Sequence, residues 1–250
     1  MNPVLVLAHN NRGLTQRCIA SIQQQDITTW TYLVDNDSSD QTYEWAKTIG
    51  DVVPVQFKPQ LGVSGGWNHG LKTLFECEGA EHVLVVGNDT FLPPWLYSTL
   101  LSFDLPFVTG VAVEDEKQIA IPTSDRKLSN HPDFSCFLIR KEVWEQVGPF
   151  DENLWGWTGD CDLHVRSHRV GISFHKANVP FYHVRSRTIE LSPPKEKRIL
   201  AMQADSDRMT FAEKWKAHVG SLQYNDLFSP DAFGIDVKNN ACKAQDNTIL

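Results

Sequence analysis

The chain has 250 residues, 41% of them hydrophobic and 22% charged, the balance of a globular protein with a sizeable core. A formal net charge of −8 argues against a general binder of nucleic acid or of anionic membranes. No apolar run approaches the ~20 residues of a membrane span, and five widely spaced cysteines without a CxxC indicate neither a disulfide framework nor a zinc site. The N-terminus, MNPVLVLAHNN, has no basic n-region and reads as a strand, not a signal peptide. The expected compartment is the cytoplasm.

Pro3 to Ala8 is an apolar run with the pattern of a buried strand. A polar loop, His9 to Gly13, follows, and Leu14, Cys18, Ile19 and Ile22 mark an amphipathic helix. Trp30 to Val34 reads as a second strand, a helix follows with Tyr43, Ala46 and Ile49 on one side, and Val52 to Phe57 is a third strand. Strand, helix, strand, helix, strand predicts a mainly parallel sheet with crossover helices, an α/β fold. Ligands of such sheets bind outside the carboxyl ends of the strands. Two polar clusters fall there, His9 to Arg12 and Asp35 to Asp40. Ser38, Ser39 and Asp40 suit a helix N-cap, but a cap has no need of Asp35 and Asp37 as well.

The stretch Gln60 to Gly70, QLGVSGGWNHG, leads into a helix. Its glycines would let a backbone approach an anion closely near a helix start, or form an ordinary flexible turn. Neither GxGxxG nor GK[ST] is present, which argues against an NAD-dependent oxidoreductase and against a Walker loop. His82 to Val86 is the most hydrophobic strand and runs into Gly87-Asn88-Asp89-Thr90, with Pro93-Pro94 opening the next helix. Asp89, just past a central strand, is a candidate ligand for a hard divalent cation or the acceptor of an Asx-turn.

Phe107 to Val113 is a further strand, 114–132 an exposed loop or hairpin, Phe134 to Ile139 a strand and Lys141 to Val147 a short helix. Val147 to Leu163, VGPFDENLWGWTGDCDL, holds four carboxylates, two tryptophans and three glycines. A helix begins after Gly159, with Asp160 and Asp162 in its first turn, and Gly171 ends it. There a carboxylate serves as a cap or as a chemical group, and the helix N-terminus would lower its pKa. Cys161 reads as a small packing residue and His164 as a surface residue one turn from Asp160. Short strands are expected around 172–174 and 179–184. No acid occurs from Leu163 to Ile189, while Arg166, Arg169, Lys176, Arg185 and Arg187 do. That segment suits a diphosphate or phosphate-bearing acceptor, or is a solvated helix face plus edge strands. Lys195 to Val219 reads as a long helix, and Ser221 to Leu250 as a loosely ordered tail.

The ordered set HNNRGLTQRCIASI, VDNDSSDQT, LGVSGGWNHGL, VVGNDT, CFLIRKEVWEQVGPFDENLWGWTGDCDLHVRSHRVG, His183 and FAEKW resembles the GT-A-fold glycosyltransferases of family 2, the type that includes rhamnosyltransferases. The resemblance runs from about Val4 to Trp215. It implies a single GT-A domain over 1–219, a nucleotide-sugar-binding half over 1–105, an acceptor and catalytic half over 106–219, and the tail over 220–250. By position, Ala8, His9, Asn10, Arg12 and Asp35 would contact the nucleotide base and ribose, with Asp37 in the same motif. Gly65, Asn68 and Asn88 would approach the donor. Asp89 matches the second acid of a DxD metal motif, and His183 a late histidine that completes metal or diphosphate binding. Arg185 and Arg187 would contact the diphosphate. Asp160 matches the catalytic base of the ED motif, Trp155 and Trp157 suit sugar faces and water exclusion, and Asp162 an acceptor contact.

The chain departs from that pattern at Gly87, where DxD has its first acid, at Gly159, where ED has Glu, and at Gln60, where Asn is usual. The implied reaction is inverting transfer from a nucleoside diphosphate sugar, a UDP- or dTDP-sugar, with Mn²⁺ or Mg²⁺. The acceptor would be a hydroxyl of a saccharide or other soluble molecule, including a modified nucleic-acid base. A catalytically silent nucleotide-sugar- or glycan-binding protein is the competing reading.

Overall fold

The computed structural model describes residues 1–119, 122, 125–128, 132–184 and 193–229. Strands β1 (Asn2–Ala8), β2 (Thr29–Asn36), β3 (Val52–Phe57) and β4 (His82–Gly87) lie parallel in the order β3-β2-β1-β4. Helices α1 (Arg12–Gln23), α2 (Thr42–Ala46) and α3 (Gly62–Lys72) precede β2, β3 and β4 respectively. The chain continues through β5 (Thr90–Phe91), α4 (Leu96–Ser102), β6 (Phe107–Val113), β7 (Arg126–Leu128), β8 (Cys136–Arg140), α5 (Lys141–Val147), α6 (Gly159–Arg169), β9 (His175–His183), α7 (Pro194–Trp215) and α8 (Leu222–Asp226). The sheet extends as β4-β8-β6-β9-β5, with β7 also on β9. It becomes mixed because β8 runs antiparallel to both β4 and β6, whereas β6 and β9 are parallel. This is the mixed, mainly parallel α/β architecture the sequence predicts.

Alternation along β1 sorts the core into two layers. Val4, Val6 and Ala8 join Ile19, Ile22, Leu96 and Leu100 on one face, and Leu5 joins Leu71, Phe75, Phe137 and Phe174 on the other. Each of these buried side chains larger than alanine stabilises the fold by about 1.5–3 kcal/mol. A third, smaller cluster forms where α7 and α8 reach back onto α6, around Leu154, Val165, Phe211, Trp215 and Tyr224.

Several elements differ from the sequence expectation. The glycine-rich stretch is helical, not a loop. A Cβ on Gly66 would fall 2.5 Å from Leu7 Cδ1, and one on Gly70 would collide with the Leu5 side chain. Gly66 and Gly70 therefore let α3 lie close on β1. Two of the first N–H groups of α3 are already engaged, since Val63 N and Ser64 N donate to Trp155 O at 2.6 and 3.3 Å. The two short strands expected near 172–184 are a single strand, β9, preceded by the buried Ile172 and Phe174. Pro180, which has no N–H to donate, is accommodated opposite the register shift between Thr109 and Val111 of β6. The helix after Pro93-Pro94 starts at Leu96. Residues 222–226 of the expected tail are helical, with Tyr224 buried. Residues 230–250 lie outside the described residues.

Candidate active site

The carboxyl ends of β1, β2 and β4 open onto a crevice of about 390 Å³. His9, Asn36 and the Gly87–Asp89 turn form its sheet side, Gly62, Val63 and Trp67 of α3 one flank, and the 155–157 loop, His183 and Leu200 the rest.

The β1 and β2 loops are held to each other by side-chain caps. Asn10 and Asn11 are left-handed (φ 56° and 59°). Asn10 N donates to Ser38 Oγ at 2.8 Å, and Asn10 Oδ1 accepts from Ser39 N at 2.8 Å. Asp40 receives Arg12 N at 2.6 Å and Thr42 Oγ1 at 2.6 Å, so one carboxylate serves the starts of two helices. Arg12 itself is exposed, and Ala8, fully buried, has only its backbone to offer. Asp37, also left-handed at φ 69°, is partly buried in the same turn. Asn36 accepts from Leu61 N at 2.7 Å and donates to Gly62 O at 2.9 Å, tying β2 to the start of α3.

Asp35 is fully buried; its Oδ1 accepts from Ser38 N and Gln56 Nε2, whereas its buried Oδ2 has no hydrogen-bond partner. Such an oxygen is costly to leave unsatisfied, by roughly 1–3 kcal/mol, and suits an incoming N–H or hydroxyl. His9 lies between Asn36 O at 2.7 Å and Glu196 Oε1 of α7 at 3.0 Å.

At the end of β4, Asn88 donates to Asn10 O at 3.1 Å and to Thr15 Oγ1 at 2.9 Å, fastening this turn to the β1 loop. Asp89 and His183 converge across the β5–β9 pair, with Nε2 and Oδ1 3.3 Å apart. Gly87 has a reason here: a Cβ would come within 3.2 Å of Asp89 Oδ1. Among the described residues no group of three or more His, Cys, Asp or Glu forms a metal cage. Asp89 and His183 thus offer one carboxylate and one imidazole, a partial coordination set that suits a cation completed by ligand oxygens.

Asp160 opens into a side cavity of about 140 Å³ whose walls Val63, Trp67, Gly156 and Trp157 also line the main crevice. Its Oδ1 accepts from Cys161 N at 2.8 Å. Burial nevertheless pushes the carboxyl above the ordinary aspartate value, against this hydrogen bond. The expectation that the helix N-terminus would lower it is thereby corrected, since desolvation outweighs it. Gly159 leaves no room for the Glu of an ED motif, because a Cβ would meet Ser64 Oγ at 2.7 Å. The preceding tryptophan loop is fixed from two sides. Trp155 O caps α3, and Gly156 N and Trp157 N both donate to Asp207 Oδ2 of α7 at 2.8 Å.

Other expected site residues lie elsewhere. Asp162 is fully buried and bound to Arg166 Nε, Lys214 Nζ and Trp215 Nε1 at 2.7, 2.7 and 2.9 Å, so its carboxylate braces helices and does not face the crevice. Gly65 and Asn68 are on the far side of α3, along a separate open cavity of about 830 Å³. Asn68 there clamps Phe150 through its backbone N and O, at 2.8 and 2.9 Å. Arg166 is taken by Asp162, Arg169 lies over the Trp215 ring, and Arg185 and Arg187 lie outside the described residues. His164 is a core residue stacked on Phe174, not a surface one. Sequence reasoning missed Asn36, Glu196 and Asp207. Asn36 sat inside the acidic run already singled out, whereas Asp207 looks like any polar position of a long helix.

The fold is of the GT-A type. The family model described as glycosyl transferase family 2 matches residues 4–144, more than half of the chain, and the chain belongs to that family. Solved structures agree on the fold. The chain is similar to a mannosyltransferase from Pyrobaculum calidifontis in complex with GDP-Man and Mn²⁺ (TM-score 0.58, 15% identity, 99% of this chain and 75% of that one). It is also similar to TarS of S. aureus, residues 1–349 (0.58, 14%, 99% and 74%). A third is GalNAc-T7 with UDP, GalNAc and Mn²⁺ (0.64, 13%), where the match covers 99% of this chain but 55% of that one. No curated protein matches the chain. Among the described residues no helix is long and apolar enough to cross a membrane.

Proposed function

We propose that this glycosyltransferase moves a sugar from a nucleoside diphosphate sugar to an acceptor hydroxyl with inversion, with Asp160 as the base. The observation that carries the reading is the adjacency of two unlike carboxylate sites. Asp89 with His183 lies in the main crevice, and Asp160 lies in a side cavity sharing four of its walls. Asp35 Oδ2, buried and unsatisfied, supports a nucleoside at the β2 end. Asp89 and His183 would hold Mn²⁺ or Mg²⁺ together with diphosphate oxygens, and the ion would offset charge on the leaving group.

The acceptor oxygen attacks the anomeric carbon as the bond to the diphosphate breaks, and its proton passes to Asp160. Burial raises the pKa of Asp160, and once ionised such a carboxylate is a stronger base than an ordinary aspartate. Trp155 and Trp157 flank the reacting sugar and keep water from competing. The donor base and the acceptor class, saccharide or other hydroxyl compound including a modified nucleic-acid base, are open to a direct panel.

The test is thermal unfolding with UDP-, GDP-, dTDP- and CMP-sugars, with and without Mn²⁺. A ligand at a hundred times its dissociation constant adds about 2.7 kcal/mol, or roughly 5–10 °C for a chain of this size. One nucleotide should give a metal-dependent shift, and Asp89→Ala should abolish the metal dependence. No shift with any nucleotide, from a protein that melts cooperatively, would overturn the reading.

A further inference from the structure

We infer that Asp207 of α7 is a positioning residue for transfer, setting the tryptophan loop that walls both the crevice and the Asp160 cavity. The inference rests on the transferase reading for its catalytic consequence, but not for its structural one. Asp207 lies beyond the family-matched residues 4–144 and touches neither cavity. Its side chain is fully buried, and a buried carboxylate persists only where hydrogen bonds satisfy it. One carboxylate oxygen serves the tryptophan loop and the other is held from α7 itself. Oδ2 accepts Gly156 N and Trp157 N, each at 2.8 Å, while Thr158 Oγ1 lies 3.3 Å from the backbone O and 2.6 Å from its nearer acceptor, Trp157 O. Gln203 Nε2 holds Oδ1 at 2.9 Å, fixing the carboxylate plane.

The loop needs such a clamp. Thr158 is left-handed at φ 61°, a conformation that β-branched residues avoid, and it is the residue from which α6 and Asp160 depart. Strain of this kind persists only where the surroundings over-determine it. Asp207 supplies that determination on the residues just before Thr158, with Trp155 O on α3 as the opposite anchor. What the loop requires is an acceptor, not a negative charge. Asparagine could offer its amide oxygen to both N–H groups, while the Gln203 amide turns over to accept from its NH₂.

The test compares Asp207→Ala with Asp207→Asn in the full chain. With 5-fluorotryptophan incorporated, ¹⁹F resonances of Trp155 and Trp157, assigned by Trp→Phe variants, should shift or split in Asp207→Ala. Those of Trp45 and Trp144 should stay in place, and Asp207→Asn should leave all four unmoved. In parallel, kcat with the UDP-, GDP- and dTDP-sugar panel should fall about 10²-fold in Asp207→Ala, the scale of a misplacement near 1 Å. The Kd for free nucleotide with Mn²⁺ should stay within about threefold, and Asp207→Asn should restore kcat to within about threefold, a margin well inside that 10² effect. If Asp207→Ala does not melt cooperatively, Asp207→Leu, which offers no acceptor, replaces it. Unmoved Trp155 and Trp157 signals in the acceptor-less variant, or an Asp207→Asn variant as impaired as the alanine one, would overturn the inference. Absence of turnover in the unmutated protein would count against the transferase reading alone, and the indole signals would still decide the role of Asp207.

Discussion

Replacing Asp162 by alanine separates a framework role from an acceptor contact. The buried carboxylate receives Arg166 Nε and Lys214 Nζ at 2.7 Å and Trp215 Nε1 at 2.9 Å. Removing one partner of a buried ion pair costs about 3–5 kcal/mol when the stranded charge stays buried. Here both cations have outlets. Arg166 keeps the carbonyls of Val147 and Pro149 and is 21% exposed, and Lys214 keeps Asp151 and is 34% exposed. The indole N–H of Trp215 has no such outlet, which adds roughly 1–3 kcal/mol. Discounting the cations, the loss should be about 2–4 kcal/mol, a fall of roughly 5–15 °C in Tm for a chain of this length. Thermal and urea unfolding measure it, with nucleotide binding assayed well below the transition and expected to persist. A fall under about 2 °C, or unchanged melting with lost acceptor affinity, would refute the bracing role and restore the acceptor contact.

Asp160→Asn should abolish transfer, by about 10²–10⁴-fold, while leaving Tm at pH 7 equal or higher. The sign follows from its raised pKa: the protonated form favours the fold at low pH, and that contribution is lost as pH rises through the folded-state value. The acid limb of wild-type kcat/KM should accordingly lie above the ordinary aspartate range, and a limb at that range would contradict the assignment. Gly70→Ala should destabilise by about 1–3 kcal/mol through overpacking on Leu5, despite alanine's helix preference. Gly13→Ala in α1, where a Cβ meets nothing within 4 Å, should instead stabilise by about 0.5–1 kcal/mol. Equal urea midpoints for these two variants would refute the close-approach account of α3.

The parallel half of the fold was legible because its signals are local. Short apolar runs such as VLVLA and HVLVV, separated by helical periodicity, leave few topologies open. That His9 and Asp89 lie past strand ends on one crevice followed from the same rule. What was not legible depended on partners distant in sequence. A glycine for an anion and a glycine for helix-on-strand contact look alike until Leu5 and Leu7 are placed beneath Gly70 and Gly66. Asn68 reads as a donor contact in the motif, but its amide is spent on Phe150 and Glu152, more than eighty residues later. The single strand β9 was hidden by Pro180, whose missing N–H matters only if the neighbouring strand is regular at that point.

Asp160 and Asp162 show why residue type and spacing could not divide the roles. Two residues on a helix diverge by about 200°, so one carboxylate meets the crevice wall and the other the protein interior. What the second meets is decided by α7, which delivers Lys214 and Trp215 to Asp162 and, two turns earlier, Asp207 to the loop before Asp160. The bracing acid is neutralised by cations. Among the described residues no ion pair holds Asp160, and its pKa rises under desolvation. Identical chemistry thus becomes support at one position and, at the other, a desolvated carboxylate on a cavity wall, through a helix that lies outside the family-matched region.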